Sequence, residues 1–405
     1  MAQGRIVLGV CGGIAAYKSV YLLRLFKRAG YDVQVVATPE ALQFVGAVTW
    51  ASLSGQAVLT GFFDPDTGAW NQHVHLAQQA DRIVVAPLTA HTLAKWAGGH
   101  CDNLLLAILQ STTAPVFAAP AMDREMYRFP ANQENLEKLK RWGVRWLPPD
   151  SGPLASGLEG EGRMAEPEFI FDRLEAFAPD LPSMEGRRVL ITAGPTREFL
   201  DPVRYMTNAS SGRMAVALAH AFRNAGARVH LVCGPMEKNP PHDCAITRVQ
   251  TAAEMLRACK EIKNDWDIFV GAAAVSDFAF VERASGKIKK EYLPDHLAIS
   301  ANPDIVASMA SEKTDKQLVV GFALESENVQ AHAIQKLKRK NLDMIVANSA
   351  AEEGAGLTSE TNHVWLLDRR GSIIEIPKSS KNKIAVQLVK HIAQYYFDRL
   401  HEHKA

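Results

Sequence analysis

The sequence predicts an α/β protein built from two Rossmann-like, doubly wound parallel-sheet domains, and three observations support this. A strand–turn–helix–glycine–strand opening occurs twice, once from Gly4-Arg5-Ile6-Val7-Leu8-Gly9 and again from Gly186-Arg187-Arg188-Val189-Leu190-Ile191. Short apolar runs in each half end directly in loops of small residues and proline, as strands buried on both faces of a parallel sheet do. Between the halves, Ala178-Pro179-Asp180-Leu181-Pro182-Ser183 carries two prolines that interrupt helix and strand alike. The domains are therefore expected at 1–182 and 183–405.

Each element follows from its own stretch. The run from Arg5 to Val10 reads as a strand that ends at Gly12-Gly13. A helix around Tyr17–Ala29, Gly30 and a strand over Asp32–Ala37 come next. Arg82–Pro87 and Pro115–Pro120 are short buried strands, each running into a proline-containing loop. Such carboxyl-end loops are where open α/β sheets bind ligands. In the second half the same layout gives a strand from Arg188, a helix over Met214–Asn224, Gly226 and a strand over Arg228–Cys233. Asp267–Val270, Gln317–Phe322 and Asp343–Asn348 are further buried strands. Val364–Leu367 and Ile373–Ile376 form a hairpin closing at Gly371, and an amphipathic helix over Lys383–Leu400 packs on the sheet.

Composition narrows the function. The 45 basic and 44 acidic residues nearly cancel, so no bulk attraction to nucleic acid or membrane is expected. No apolar run approaches the roughly 18–20 residues of a bilayer span. The N-terminal run reads as a first strand rather than a signal peptide. Cys11, Cys101, Cys233, Cys244 and Cys259 are scattered and form no CxxC pair, which argues for reduced thiols and against a zinc site. The expectation is a soluble, cytoplasmic protein.

The chemistry concentrates in loops. Ala193-Gly194-Pro195-Thr196-Arg197-Glu198, running on to Asn208-Ala209-Ser210-Ser211-Gly212-Arg213-Met214, turns from strand to helix through small residues. That places N–H groups and hydroxyls at a helix N-terminus, where phosphate is favoured. The glycine spacing is not the dinucleotide fingerprint. Downstream lie Ala272-Ala273-Ala274-Val275-Ser276-Asp277 and Lys287-Ile288-Lys289-Lys290, and together these motifs read as a nucleotide-using ligase.

In these motifs and their order, the chain resembles, over nearly its whole length, the bifunctional coenzyme A biosynthesis family. In that family a flavodoxin-like phosphopantothenoylcysteine decarboxylase is fused to a phosphopantothenate–cysteine ligase. The resemblance implies that the second half activates 4′-phosphopantothenate with CTP and Mg²⁺ to an acyl-cytidylate, from which cysteine displaces CMP. It matches Asn208 to an asparagine that processes this intermediate, where an amide can donate to the forming oxyanion. An asparagine before Ser-Ser-Gly also suits a helix N-cap, and the sequence leaves both open. Lys287 matches the lysine that neutralises the triphosphate as pyrophosphate leaves. Gly271, Ala272, Ala273 and Asp277, the loop Asn302-Pro303-Asp304-Ile305, Phe322, and the pair Lys336 and Lys340 match CTP contacts. The two lysines, four apart on a predicted helix, face one way, and either could instead pair with a nearby acid. No residue set is assigned to metal, since Mg²⁺ rides on the triphosphate and needs few protein ligands.

The first half matches the FMN-dependent cysteine decarboxylases. Gly12 and Gly13 of Cys11-Gly12-Gly13-Ile14-Ala15-Ala16-Tyr17-Lys18, and Pro87 and Thr89 of Ala86-Pro87-Leu88-Thr89-Ala90, align with flavin loops. His73 aligns with the active-site histidine and His75 is its spare. Pro120-Ala121-Met122-Asp123 aligns with the substrate-binding segment, and Ser156, in Ser151–Gly157, with the flap. Two positions depart from the pattern: Asp123 stands where the family carries Asn, and Ser156 where it carries the flap Cys. The family oxidises the substrate thiol, loses CO₂, and then reduces the enethiol with a proton from that cysteine. A hydroxyl is a far poorer acid than a thiol of pKa about 8.5. Three accounts stay open: Asp123 serves as the donor; another acid or thiol (Cys101-Asp102 or Cys11) does; or the half is a non-catalytic, flavin-binding trimerisation module. A peptide C-terminal cysteine is a further substrate class, disfavoured by the ligase motifs on the same chain. The resemblance also implies trimerisation through the first half and dimerisation through the second, which together generate a dodecamer.

Overall fold

The computed structural model describes residues 3–64, 66–262, 265–292, 295–325, 327–349 and 359–402. The chain divides into two compact units, Met1–Leu174 and Glu175–Ala405. Ala176 and Met184 are already wholly buried in the second unit's core.

In the first unit β1 (Arg5–Val10) leads through α1 (Ala16–Arg28) to β2 (Asp32–Ala37), and α2 (Ala47–Ser54) and α3 (His73–Gln79) precede β3 (Arg82–Leu88). Then come α4 (Ala90–Ala97), α5 (Leu104–Ser111), β4 (Val116–Pro120), α6 (Arg124–Arg128), α7 (Pro130–Arg141) and β5 (Arg145–Trp146). The five strands are all parallel in the order β2-β1-β3-β4-β5, the flavodoxin-like doubly wound order. Val7, Ile83, Val85 and Ala118 face a core completed by Leu93, Leu105 and Ile108. On the other face, the buried Trp50 donates its Nε1–H to Ser19 Oγ at 2.9 Å, so the indole is buried with its polar atom satisfied. An antiparallel hairpin, β6 (Asp150–Pro153) and β7 (Glu159–Arg163), and α8 (Pro167–Glu175) follow.

The second unit starts with β8 (Arg188–Ala193). The loop expected before the next helix holds a second hairpin, β9 (Arg197–Phe199) and β10 (Tyr205–Thr207). It is followed by α9 (Arg213–Asn224), β11 (Arg228–Cys233), β12 (Ala245–Arg248), α10 (Ala252–Glu261) and β13 (Ile268–Gly271). Next are a short antiparallel pair, β14 (Phe278–Phe280) and β15 (Ile299–Ala301), then α11 (Ile305–Glu312), β16 (Leu318–Glu325) and α12 (Val329–Arg339). The unit closes with β17 (Met344–Ser349), β18 (Thr361–Asp368), β19 (Ile373–Ser380) and α13 (Lys381–Glu402). The main sheet runs β12-β11-β8-β13-β16-β17-β18-β19. Its first six strands are parallel, and the hairpin expected at Val364–Leu367 and Ile373–Ile376 adds β18 and β19 antiparallel at the edge.

Alternation on β8 sorts the two faces. Val189 and Ile191 pack with Leu218 and Phe222 of α9 and Leu388 of α13. Leu190 packs with Met255, Met309 and Leu337 of α10, α11 and α12. The helix α10 starts in a capping box, with Thr251 accepting from Glu254 N–H, a device worth about 1 kcal/mol.

Candidate active sites

The strand order in the first unit reverses between β1 and β3, and an open sheet binds ligands outside the carboxyl ends of such a pair. The Cys11–Lys18 and Ala86–Ala90 loops, which the resemblance matches to flavin loops, meet there. Cys11 N–H donates to Pro87 O at 3.3 Å, joining the loops after β1 and β3. Gly12 N–H donates to Thr38 Oγ1 at 3.2 Å, and a Cβ on Gly12 would sit 2.3 Å from Glu40 Cβ, so only glycine fits. A Cβ on Gly13 would lie 3.5 Å from the Thr89 methyl, placing those two residues side by side. Thr89 caps α4 by accepting from Thr92 N–H.

His73 begins helix α3 rather than lying in a loop. The C-terminal end of α3 sits by the amino end of β1, where Arg5 N–H donates to Asp81, so His73 is at the end of the helix nearer the carboxyl edge. Its ring meets Phe62 and Trp70 edge-on, with centroids 6.0 and 6.1 Å away, and its Nδ1 is buried without a partner. His75 is exposed, its Nε2 2.8 Å from Gln79 Nε2. Asp123 precedes α6 without capping it, and its Oδ1 is likewise buried and unpaired. Leaving a buried polar atom unpaired costs about 1–3 kcal/mol. Such atoms are few in native structures, and strain, a catalytic role or a bound water or ion accounts for those that occur. The unpaired atoms, together with the glycine cradle, fit a bound flavin and its substrate.

The segment matched to the flap folds as the β6–β7 hairpin. Met122 N–H donates to Gly162 O at 3.0 Å and Arg124 Nη1 to Glu159 O at 3.2 Å, so the flap lies along the Asp123 segment. Ser156 is exposed at its tip, accepting only weakly from Leu158 N–H within its own turn. Of the alternative thiols, Cys11 is wholly buried, and burial pushes it up to about 11. Cys101 is exposed, and its neighbour Asp102 pairs with Lys95, which holds that carboxyl below its ordinary value. Sequence reasoning missed the anchoring role of Lys18. This buried lysine of α1 donates to Met164 O at 2.8 Å and Glu166 Oε1 at 2.9 Å, fixing the flap's outgoing strand. A charged residue inside an otherwise small and aromatic motif was the available signal.

In the second unit the reversal falls between β8 and β13, and their loops zip together. Ala273 N–H donates to Thr192 Oγ1 at 3.3 Å, Ala274 N–H to Gly194 O at 2.9 Å, and Ser276 N–H to Thr196 Oγ1 at 3.0 Å. Asn208 joins them, donating its amide to Val275 O at 2.9 Å and Ala274 O at 3.4 Å. The N-cap of α9 is instead Gly212. Gly271 is small for a packing reason, since a Cβ there would lie 2.5 Å from Val306 Cγ2 of α11. Asn302 ties the next stretch down, its N–H donating to Asp277 O at 2.8 Å and its Nδ2 to Ser276 O at 2.9 Å; Asp277 and Pro303 are exposed.

Both lysines are held by acids. Lys340 Nζ lies 2.8 Å from Asp304, which also caps α11, and Lys336 Nζ lies 2.6 Å from Glu325 Oε1. Burial acts to raise the Asp304 carboxyl, but Lys340, the Ala307 N–H and Arg339 together hold it below its ordinary value. Ile305 is a core residue. Phe322 packs on the α9 and α13 face, whereas α12, with Lys336, packs on the opposite one. The exposed Lys287 follows β14 on the connection to β15. Among the described residues, no three His, Cys, Asp or Glu side chains are grouped to hold a metal, and no helix is long and apolar enough to cross a membrane.

The fold and sites together define a flavodoxin-like flavoprotein unit joined to a Rossmann-like nucleotide-using unit. Residues 1–178 match the flavoprotein family model and 184–396 that of the DNA/pantothenate metabolism flavoprotein C-terminal domain. A coenzyme A biosynthesis bifunctional protein of Haemophilus influenzae is 41% identical over 391 residues, 96% of this chain and 97% of that one. Its counterpart in Escherichia coli K12 is 40% identical over 402 residues, 98% of this chain and 99% of that one. A cysteine/cysteine sulfinic acid decarboxylase from an unknown prokaryotic organism is 44% identical over 350 residues, 85% of this chain and 98% of that one. The chain belongs to the coenzyme A biosynthesis bifunctional protein family.

Proposed function

We propose that 183–405 couples cysteine to 4′-phosphopantothenate with CTP, and that 1–182 decarboxylates the product to 4′-phosphopantetheine with FMN. The observation that carries this reading is the meeting of the Gly12 and Thr89 loops at one carboxyl-edge reversal, and of the Thr192–Thr196, Ala273–Ser276 and Asn208 segments at the other. In the ligase, a carboxylate oxygen attacks the α-phosphorus of CTP and pyrophosphate leaves. The cysteine amine then attacks the activated carbonyl, loses a proton and expels CMP. Lys287 offsets charge on the departing pyrophosphate, with Mg²⁺ carried on the triphosphate. Asn208 holds the loop after β13 beside the reacting carbonyl. Lys336 and Lys340 exchange Glu325 and Asp304 for phosphate oxygens, and Asp277 and Asn302 line the nucleotide edge.

In the first unit Gly12 and Gly13 would cradle the flavin phosphate and Pro87 and Thr89 would line a second flavin loop, and FMN when bound would supply the oxidation of the substrate thiol and the returning hydride. His73 and Asp123 meet the substrate with their unpaired atoms, and the flap closes over it. Exposed Ile14, Tyr17, Tyr21 and Val48 on the first unit, and Tyr205, Phe278 and Ile299 on the second, support self-association through both units. Light scattering of a stable monomer contradicts that arrangement.

Mass spectrometry of products from 4′-phosphopantothenate, cysteine, CTP and Mg²⁺ under anaerobic conditions tests the whole reading. 4′-Phosphopantetheine is expected. Accumulation of 4′-phosphopantothenoylcysteine alone supports a second reading, favoured by Ser156 at the flap tip, in which only the ligase turns over.

A further inference from the structure

The connection from β14 to β15 carries Lys287 and is mostly exposed, yet it is pinned to the β9–β10 turn. The Arg283 guanidinium lies 4.9 Å over the Phe199 ring, and Ala284 N–H donates to Leu200 O at 2.9 Å. Ile288, next to Lys287, is held on both sides. Its N–H donates to Asp201 Oδ2 at 3.3 Å and its carbonyl accepts from Arg204 Nη2 at 3.2 Å. The Ile288 N–H shares a peptide plane with the Lys287 carbonyl, so holding it restrains the peptide plane that carries the lysine's Cα.

Asp201 is wholly buried. One oxygen, Oδ1, accepts from Val203 N–H and Arg204 N–H, both at 2.8 Å, and makes the local turn. Asparagine or serine makes such turns as well. The second oxygen is what the turn does not require. Oδ2 takes the Ile288 N–H, from a residue far along the chain, and lies 3.4 Å from Arg204 Nη1. A buried carboxylate is costly unless each oxygen is satisfied. The Lys287 segment and the Arg204 guanidinium, rather than the turn's backbone, therefore account for a carboxylate here.

We propose that Asp201, through this second oxygen and the Arg204 guanidinium it holds, is the positioning residue that aims Lys287 in the nucleotide-activating step. The inference rests on the ligase reading and on the role given there to Lys287.

Asp201→Asn separates the two functions of the side chain. Its amide oxygen keeps the local turn, while its NH₂ opposes the Ile288 N–H. Ile288→Pro removes that N–H instead and leaves Asp201 intact. The readout in the full chain is steady-state pyrophosphate release from CTP, 4′-phosphopantothenate and saturating cysteine, with the pre-steady-state pyrophosphate burst isolating the activation step and thermal melting as the folding control. Both variants are expected to lower kcat about 10- to 100-fold with little change in KM for CTP. In a Lys287→Ala background, Asp201→Asn is expected to add nothing. Wild-type kcat in both single variants, or losses that multiply with Lys287→Ala, overturns the proposal. A wild-type rate for Lys287→Ala itself removes the role of that lysine, and the proposal with it. That outcome is distinguishable from one in which Lys287→Ala is impaired and Asp201→Asn is not.

Discussion

The two carboxyl edges are prepared for their ligands in opposite ways. In the first unit His73 Nδ1 and Asp123 Oδ1 are buried with nothing to bond. In the second, Asn208 already donates to Val275 O, Lys336 pairs with Glu325 and Lys340 with Asp304. A site with unpaired buried atoms gains hydrogen bonds when its ligand arrives. A site whose cations rest on carboxylates must give up one set of partners for another. On the proposed assignment, binding in the first unit would draw on a few unpaired atoms, whereas in the second it would exchange ion pairs already made.

The largest effect that breaks this contrast is expected at His73. Substitution His73→Asn keeps a polar side chain but removes a group able to move protons. Decarboxylation is expected to fall by about 10²- to 10⁴-fold while the ligase product accumulates, as read by mass spectrometry. An unchanged rate reduces the unpaired Nδ1 to a cost without a function.

Ser156→Cys is expected to have a smaller effect in the same unit. If the flap tip carries the final proton, a thiol in place of the hydroxyl raises turnover, by about tenfold. Single-turnover flavin reoxidation with 4′-phosphopantothenoylcysteine measures that step. An unchanged rate moves the donor role to Asp123 and makes the serine a spectator.

How much of this was legible in the sequence follows the same division between local and long-range causes. The parallel strands were legible because apolar runs ending in small residues are local signals; Arg5–Val10 and Arg228–Cys233 fall where the pattern places them. The β9–β10 hairpin was not, because three-residue strands flanked by Gly194-Pro195 and Pro202 have too few residues to show a period. The antiparallel β18 was legible as part of a hairpin, but its pairing direction with β17 depends on distant chain. At the sites, residue types were legible and their partners were not. Gly271 reads equally as room for a base or room for Val306. Phe322 reads equally toward either face of the sheet. The acids beside Lys336 and Lys340 lie on other elements, so spacing on the helix could not name them.

The smallest effect sharpens the comparison most. Asp304 both caps α11 and pairs with Lys340, with side chains 43% and 25% exposed, so the ion pair is screened and worth under about 1 kcal/mol. Asn caps as well as Asp, so Asp304→Asn removes the charge and keeps the helix start. If Asp304 is only a resting partner, the lysine is freed for phosphate and CTP affinity rises, by no more than about fivefold. Asp304→Ala also loses the cap and is expected to cost about 1 kcal/mol of stability in urea titrations. Because the folded carboxyl is depressed, its stabilising contribution is present above the unfolded value of 3.8 and lost as pH falls through the folded one. Asp304→Asn should therefore flatten the acid side of the stability profile below about pH 4. A CTP affinity more than about tenfold weaker in Asp304→Asn gives the opposite result. The carboxylate then touches the nucleotide directly, and the second site, like the first, holds an acceptor in reserve for its ligand.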